Sequence, residues 1–197
     1  MNTALRRTLA VCAAGLLCAA TAFPAAARVD SERRGADRHH IDRHDRHGDG
    51  HSPSLRDVRR ATARFHSIRA AERAGYQLGY MAPFPLDGCI AHPTDGAMGY
   101  HWFDHEAIAD PGVDARHPEA LVYAPDDDGR LRLAAVEWVV PKSVWEAAGN
   151  TAPPTLFDHE LHILNQALGW YVLHAWVWMP NPSGTFADWN PEVVCPS

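Results

Sequence analysis

Short apolar runs rich in aromatic and β-branched residues are the feature that most constrains how this 197-residue chain folds. Runs of this length and composition are typical of buried strands. The sequence between the two central runs, at 125–129, contains a proline, three aspartates and a glycine, which favour a tight reversal and therefore predict a hairpin. The predicted strands are 98–103, 119–124, 130–140 and 170–178.

An amphipathic helix is predicted before these strands. Ser54 is a suitable N-cap, Gly75 is a suitable stop, and apolar residues recur along one side between them. A short helix or turn is predicted over 142–150 and a longer helix over 156–168. Together these elements predict an α+β domain, in which the N-terminal helix packs on a curved antiparallel β-sheet or a small open β-barrel.

Three of the predicted strands each contain an ionisable residue among apolar neighbours: His101, Glu137 and His174, called the trio below. An ionisable side chain buried without a partner is costly. We therefore expect the trio to be paired, to bind a metal or to be catalytic. Strand alternation places Glu137 on the same face as Leu133 and Ala135.

Two imidazoles and one carboxylate form a ligand set that suits zinc or copper, and also iron or nickel. The leading hypothesis is therefore a secreted protein that binds a divalent metal through His101, Glu137 and His174. His92 and His105 are candidates for additional ligands. An open coordination position would let the metal activate water, so catalysis stays undecided.

Two other interpretations use the same trio. In the first, the trio hydrogen-bonds a small polar ligand inside a barrel, which predicts a deep and mostly apolar pocket. In the second, the trio is an internal polar network of a structural protein, which predicts no cavity. The segment 159–162 spells HExH, one residue shorter than the zincin motif HExxH, and therefore does not predict a zincin.

The N-terminus has the properties of an export signal. Arg6 and Arg7 precede an apolar run that meets Pro24, and the alanines at 25–27 suit signal peptidase. We predict that residues 1–27 are a signal peptide. The mature protein is then secreted, to the periplasm or the extracellular space, with no membrane insertion after cleavage.

Residues 28–51 are rich in His, Arg and Asp and contain almost no apolar side chain, so they predict a disordered tail. Residues 52–197 are long enough for a single globular domain. Without the signal peptide the chain has 16 basic and 24 acidic residues, a net charge near −8 with neutral histidines. This charge argues against nucleic acid as a partner.

Cleavage of the signal peptide leaves two cysteines, Cys89 and Cys195. In an exported protein the simplest prediction is a disulfide between them. Closing a loop of this length would stabilise the fold by about 4 kcal/mol in the chain-entropy model. A thiolate metal site is less favoured, since neither cysteine belongs to a CxxC pair.

Four segments resemble an uncharacterised family of small exported prokaryotic proteins: GAMGYHW, PEALVY, LAAVEWVVP and LHAWVWMPNPSGTFADWNPEVVC. The resemblance covers most of residues 55–196. The trio and Cys195 lie inside these segments, which fits a site and a structural staple. The resemblance implies no activity. Trp138 stands where the family pattern has Tyr, and the His-rich tail is peculiar to this chain.

Overall fold

The computed structural model describes residues 52–80 and 85–196, and these form an α+β fold, as predicted. The predicted signal peptide, 1–27, and the predicted tail, 28–51, lie outside the described residues. The elements in chain order are α1 (Leu55–Thr62), α2 (Ile68–Arg73), β1 (Tyr76–Leu78), β2 (Ile90–His92), β3 (Gly96–Asp104), α3 (His105–Ile108), β4 (Ala120–Pro125), β5 (Leu131–Pro141), α4 (Lys142–Ala147), β6 (Thr155–Leu156), β7 (His159–Glu160), β8 (His162–Ile163) and β9 (Trp170–Ala175).

The main sheet is antiparallel and open. Its strand order is β1-β3-β4-β5-β9-β8, and β2 pairs with β3 as a seventh strand of the described chain. The sheet does not close on itself, so the barrel alternative is not realised. The β4–β5 hairpin is confirmed: the N–H of Asp126 donates to the carbonyl of Arg130, and Gly129 takes a positive φ of 75°.

One face of the sheet packs against the N-terminal helical segment. The buried residues Val58, Phe65 and Ala71 share a core cluster with strand residues that include Trp102, Tyr123, Trp138, Val140 and Leu173. Ser54 caps α1 in a capping box with Asp57, and Gly75 follows α2 with a φ of 103°. The predicted start, stop and apolar side of the helical segment therefore agree with the structure.

The prediction of one continuous helix is wrong. A 3-10 turn at Ala63–His66 follows α1, and Ser67 then takes an extended conformation before α2 begins. The hydroxyl of Tyr123, on β4, donates to the carbonyl of Phe65 at 2.7 Å. In a continuous helix the Phe65 carbonyl would accept a hydrogen bond from within the helix, whereas here it accepts from the sheet residue Tyr123.

A β-bulge in β5 corrects the predicted faces of that strand. Val122 pairs with Ala135, but the next residue, Tyr123, pairs with Leu133, so Ala134 is the extra residue. Leu133 therefore packs in the helix-facing core and does not share a face with Glu137. The carbonyl of Ala134 accepts from the N–H groups of Trp178 and Met179.

The helix predicted over 156–168 is also wrong. β6 and β7 form a hairpin whose two turn residues, Phe157 and Asp158, have φ values of 52° and 62°. The ring of Phe157 packs on Trp138 with centroids 5.3 Å apart, which explains why an aromatic residue holds this conformation. The short helix α4 falls within the predicted 142–150.

The C-terminal segment lies against the start of β3. The predicted disulfide between Cys89 and Cys195 is confirmed. Ala97 and Asn190 form a β-bridge, and a Cβ atom at Gly96 would lie 2.0 Å from the carbonyl oxygen of Asn190. Glycine is thus required at this close approach. Among the described residues, no helix has the length and apolar character to cross a membrane.

Candidate functional site

A cavity of about 300 Å³ is associated with the sheet face that bears the trio. Its polar lining consists of His92, His101, Glu137 and Asn165. The rest of the lining is apolar and includes Met98, Phe103, Leu168, Trp170, Val172 and Trp189. A mostly apolar pocket with a few convergent polar groups is the usual form of a small-molecule site.

The sheet brings the trio together from three different strands. Glu137 on β5 and His174 on β9 are direct cross-strand partners. His101 lies on β3, and its partner on β4 is Val122. The Nε2 atom of His101 is 3.6 Å from Oε2 of Glu137, and the ring centroids of the two histidines are 6.2 Å apart. The predicted residues are therefore neighbours, although only His101 and Glu137 line the cavity.

The ring nitrogens of the two imidazoles are buried without a well-formed hydrogen bond. His101 is 1% exposed and His174 is fully buried, and within 52–80 and 85–196 no ring nitrogen of either residue has a partner of good geometry, although the Gly99 backbone is close to His101. The separation of 3.6 Å between His101 and Glu137 is too long for a hydrogen bond. Instead the rings pack on aromatic neighbours, His101 on Phe103 and His174 on Trp176. Unpartnered buried polar atoms are uncommon and mark a candidate binding site.

Burial also changes the ionisation of the trio. It lowers the pKa of His101 to about 4, an effect that the Gly99 backbone opposes. Burial, with added repulsion from His101, lowers the pKa of His174 well below its ordinary value. Burial raises the pKa of Glu137 to about 8, with smaller contributions from Asp188 and Glu119. At neutral pH the imidazoles are therefore neutral, and Glu137 is mainly a protonated acid able to donate one hydrogen bond.

The structure separates the two additional ligand candidates. His92 lines the cavity, where its ring lies 5.2 Å from that of Trp189 and its Nδ1 accepts from the N–H of Asp95. His105 is exposed on α3, and its Nε2 lies 3.1 Å from the carbonyl oxygen of Gly79. His92 is thus near the site, whereas His105 does not line the cavity.

The geometry for a metal ion is incomplete. Within 52–80 and 85–196, no group of three or more His, Cys, Asp or Glu side chains is arranged to hold a metal ion. The donor chemistry does fit, because neutral imidazoles are the form that coordinates zinc or copper. The metal-binding hypothesis therefore stays a prediction.

Two carboxylates near the trio, one buried and one partly buried, were not predicted as site residues. Glu119 is 3% exposed, and its Oε2 accepts from the N–H of Val139 at 2.9 Å. Asp188 lies 3.0 Å from Nε2 of His162, and its other oxygen is buried without a partner. Glu119 is the first residue of the predicted strand 119–124, so the argument used for Glu137 would have found it. Asp188 lies in an irregular segment and gave no such signal.

Comparisons with known proteins give no family assignment. No protein-family model matches the chain, and neither the curated proteins nor the solved structures contain a match. The resemblance to small exported prokaryotic proteins therefore remains a prediction. The functional argument depends on the geometry of the cavity and the trio.

Proposed function

We propose that this protein binds a small molecule with an apolar body, which occupies the cavity and hydrogen-bonds to Glu137. The observation that carries the proposal is that a mostly apolar cavity is lined by Glu137 and His101, whose side chains lie 3.6 Å apart and do not hydrogen-bond one another. A ligand with a polar group beside Glu137 would hydrogen-bond to its carboxyl group while the body of the ligand buries apolar surface.

The size of the cavity sets the size of the ligand. Its volume of about 300 Å³ is at the small end of ligand pockets. An apolar cavity of about 150 Å³ is enough to hold benzene. The cavity therefore suits a ligand of one or two rings, or an aliphatic molecule of similar volume.

The disulfide supports the proposed location. Disulfides persist in oxidising compartments and are rare in the cytosol. The Cys89–Cys195 bond fits export to the periplasm or the extracellular space. We propose that the cavity takes up its ligand there.

Titration of the full chain with benzene tests the proposal. We expect saturable changes in the methyl NMR signals of Met98, Leu168 and Val172, which line the cavity. The signals of Val58 and Val177, in the helix-facing core, should stay unchanged. If the cavity methyl signals do not change up to the solubility limit of benzene, the proposed binding is ruled out.

A pair of valine variants tests whether the empty volume is responsible. Val172 lines the cavity, whereas Val177 is equally buried in the helix-facing core. Val172→Phe should weaken benzene binding several-fold with little loss of stability, because the new ring enters open space. Val177→Phe should lower the free energy of unfolding by about 1–3 kcal/mol, as overpacking does. Undiminished benzene binding by Val172→Phe would contradict occupation of this cavity.

A second candidate function is zinc or copper binding by His101, Glu137 and His174. The observation that favours it is the set of buried, unpartnered and neutral imidazole nitrogens beside a carboxyl group. Coordination would compensate the buried nitrogens and hold Glu137 as a carboxylate. A site with an open position would also polarise water or a substrate.

Zinc stoichiometry of the full chain tests this second function. His101→Leu should bind one zinc ion fewer per chain than the wild type, because it removes one ligand of the trio. His105→Leu is the matched control, since His105 is exposed and lies outside the cavity. Histidines in 28–51 are common to all three proteins and cancel in the comparison. Equal zinc content in the wild type and His101→Leu would exclude the trio as a metal site.

A further inference from the structure

The exposed side of the helical segment that covers the sheet is rich in arginine. In each of its two helices, a buried residue has an arginine two positions to either side, which is about 200° around the helix and therefore on the opposite side. The buried residues are Val58 in α1 and Ala71 in α2. A further exposed arginine lies in the 3-10 turn between the helices. These five exposed side chains, called the Arg face below, are Arg56, Arg60, Arg64, Arg69 and Arg73.

The charge of the domain is divided unevenly between this segment and the rest. Residues 54–75 contain six Arg and two acidic residues, a net charge of +4 with neutral histidines. Residues 76–197 contain 4 basic and 16 acidic residues, a net charge of −12. The acidic net charge of the whole chain therefore hides one strongly basic surface.

Most of the Arg face has no ion-pair partner. Within 52–80 and 85–196, Arg60 pairs with Asp57, and the other four arginines of the face have no carboxylate at ion-pair distance. Arg59 is different, because its Nε donates to the carbonyl of Val177 at 2.6 Å and ties the helix to the sheet. The guanidinium groups of the Arg face are charged at any physiological pH and suit bidentate binding of phosphate.

The Arg face and the cavity lie on opposite sides of the sheet. Trp102 and Leu173 belong to the helix-facing core, whereas the residues next to them in sequence, Phe103 and Val172, line the cavity. Successive residues of a strand point to opposite faces of the sheet. A surface that covers the Arg face therefore leaves the cavity uncovered.

A membrane surface fits these features better than a nucleic acid does. The Cys89–Cys195 disulfide is typical of proteins outside the cytosol, whereas nucleic acids lie mainly inside cells. A bilayer with anionic phospholipids is an extended negative surface that attracts basic residues. It also repels the acidic remainder of the domain, so attraction and repulsion favour the same orientation.

We infer that the Arg face binds the protein peripherally to bilayers of anionic phospholipids, with the cavity on the side away from the lipid. The arginines contact the lipid phosphate groups. The contact is electrostatic, because the large apolar side chains of the segment are packed against the sheet. This membrane binding goes beyond the proposed ligand binding and does not depend on it.

Vesicle sedimentation of the full chain at neutral pH and low salt tests the inference. The probes are vesicles of phosphatidylcholine alone and vesicles of phosphatidylcholine and phosphatidylglycerol in equal amounts. The readout is the ratio of the affinities for the anionic and the neutral vesicles. Arg69→Gln with Arg73→Gln should lower this ratio at least about fivefold, since one arginine near an anionic surface contributes about that factor.

A second pair of arginines provides the matched control. Arg130→Gln with Arg132→Gln removes the same charge from exposed residues at the β4–β5 hairpin, where both arginines are paired with aspartates. This variant should keep the wild-type ratio. Residues 1–51 are common to all three proteins. No anionic preference in the wild type, an unchanged ratio in Arg69→Gln with Arg73→Gln, or an equal loss in both double variants would overturn the inference.

Two other occupants of the Arg face would give different results. A DNA duplex that binds in place of anionic vesicles, and binds more weakly to Arg69→Gln with Arg73→Gln, would identify a nucleic acid. A dimer in size-exclusion chromatography that the same change dissociates, without vesicle binding by the wild type, would identify the acidic surface of a second copy. Either result would overturn membrane binding.

Discussion

Replacing both cysteines, Cys89→Ala with Cys195→Ala, is expected to lower the free energy of unfolding by about 4 kcal/mol. The disulfide joins residues separated by 106 positions, so it removes much of the conformational freedom of the unfolded chain. Urea denaturation of the oxidised wild type and of the double variant measures the difference. The single variant Cys89→Ala should lose as much stability as the double variant, because both lack the bond.

The same bond is expected to hold the cavity together. Ile90 and His92 follow Cys89 closely, and Trp189 precedes Cys195, so the disulfide joins two segments that line the cavity. The double variant should therefore bind benzene several-fold more weakly at a temperature where it is still folded. A double variant that keeps the stability and the benzene affinity of the wild type would show that the segments are held by other contacts alone.

Much of the sheet was predictable from local sequence. The runs 98–103, 119–124 and 130–140 all lie within or nearly coincide with β3, β4 and β5. The aspartates and glycine of 125–129 predicted their hairpin, because turn chemistry depends on a few adjacent residues. The same holds for the cap at Ser54. These features are local, and local preference agrees with the tertiary structure.

The failures have tertiary causes. The bulge at Ala134 depends on hydrogen bonds from Trp178 and Met179, which are distant in sequence, and alternation alone could not show it. Residues 156–168 have a helical pattern of apolar residues, yet Phe157 is held in a turn by the ring of Trp138. Packing across the domain overrides local preference at both places.

The trio was predictable because an ionisable side chain among buried strand residues is conspicuous. Its proximity follows from the strand order β3-β4-β5-β9, which no local signal shows. The cavity was less predictable still. Leu168 and Trp189 lie in irregular segments, and their positions depend on how those segments cover the sheet. The sequence could therefore suggest the polar residues of a site but not the volume beside them.

Stability of the wild type is expected to fall as the pH rises from 6.5 to 8, and Glu137→Gln should reduce that fall. Burial raises the pKa of Glu137 from 4.5 to about 8, so between these values the folded chain holds a proton that the unfolded chain has released. The resulting stabilisation is complete below pH 4.5 and is lost as the pH rises through about 8. The expected loss is on the order of 1 kcal/mol for each pH unit.

Other buried groups can be separated from this effect. Burial lowers the pKa of His101 to about 4, so its contribution is complete above pH 6.5 and is lost as the pH falls through 4. Burial also raises the pKa of Glu119 to about 8, so Glu119 lowers the free energy of unfolding with rising pH in both the wild type and Glu137→Gln. The partly exposed His162, whose pKa the bond to Asp188 raises, is likewise common to both. The difference between wild type and Glu137→Gln therefore isolates Glu137.

Urea denaturation at several pH values between 6.5 and 8 gives this difference. The free energies of unfolding should diverge in favour of Glu137→Gln as the pH rises, because the glutamine has no proton to lose. Parallel curves would mean that Glu137 ionises as readily in the folded chain as in the unfolded chain, and would contradict the raised pKa. The same measurement at saturating zinc tests the metal site. A zinc ion bound to the trio would stabilise the carboxylate form of Glu137 and lower its pKa, so the stability of the wild type would no longer fall between pH 6.5 and 8. The pH profile with and without zinc therefore tests whether the trio binds a metal ion.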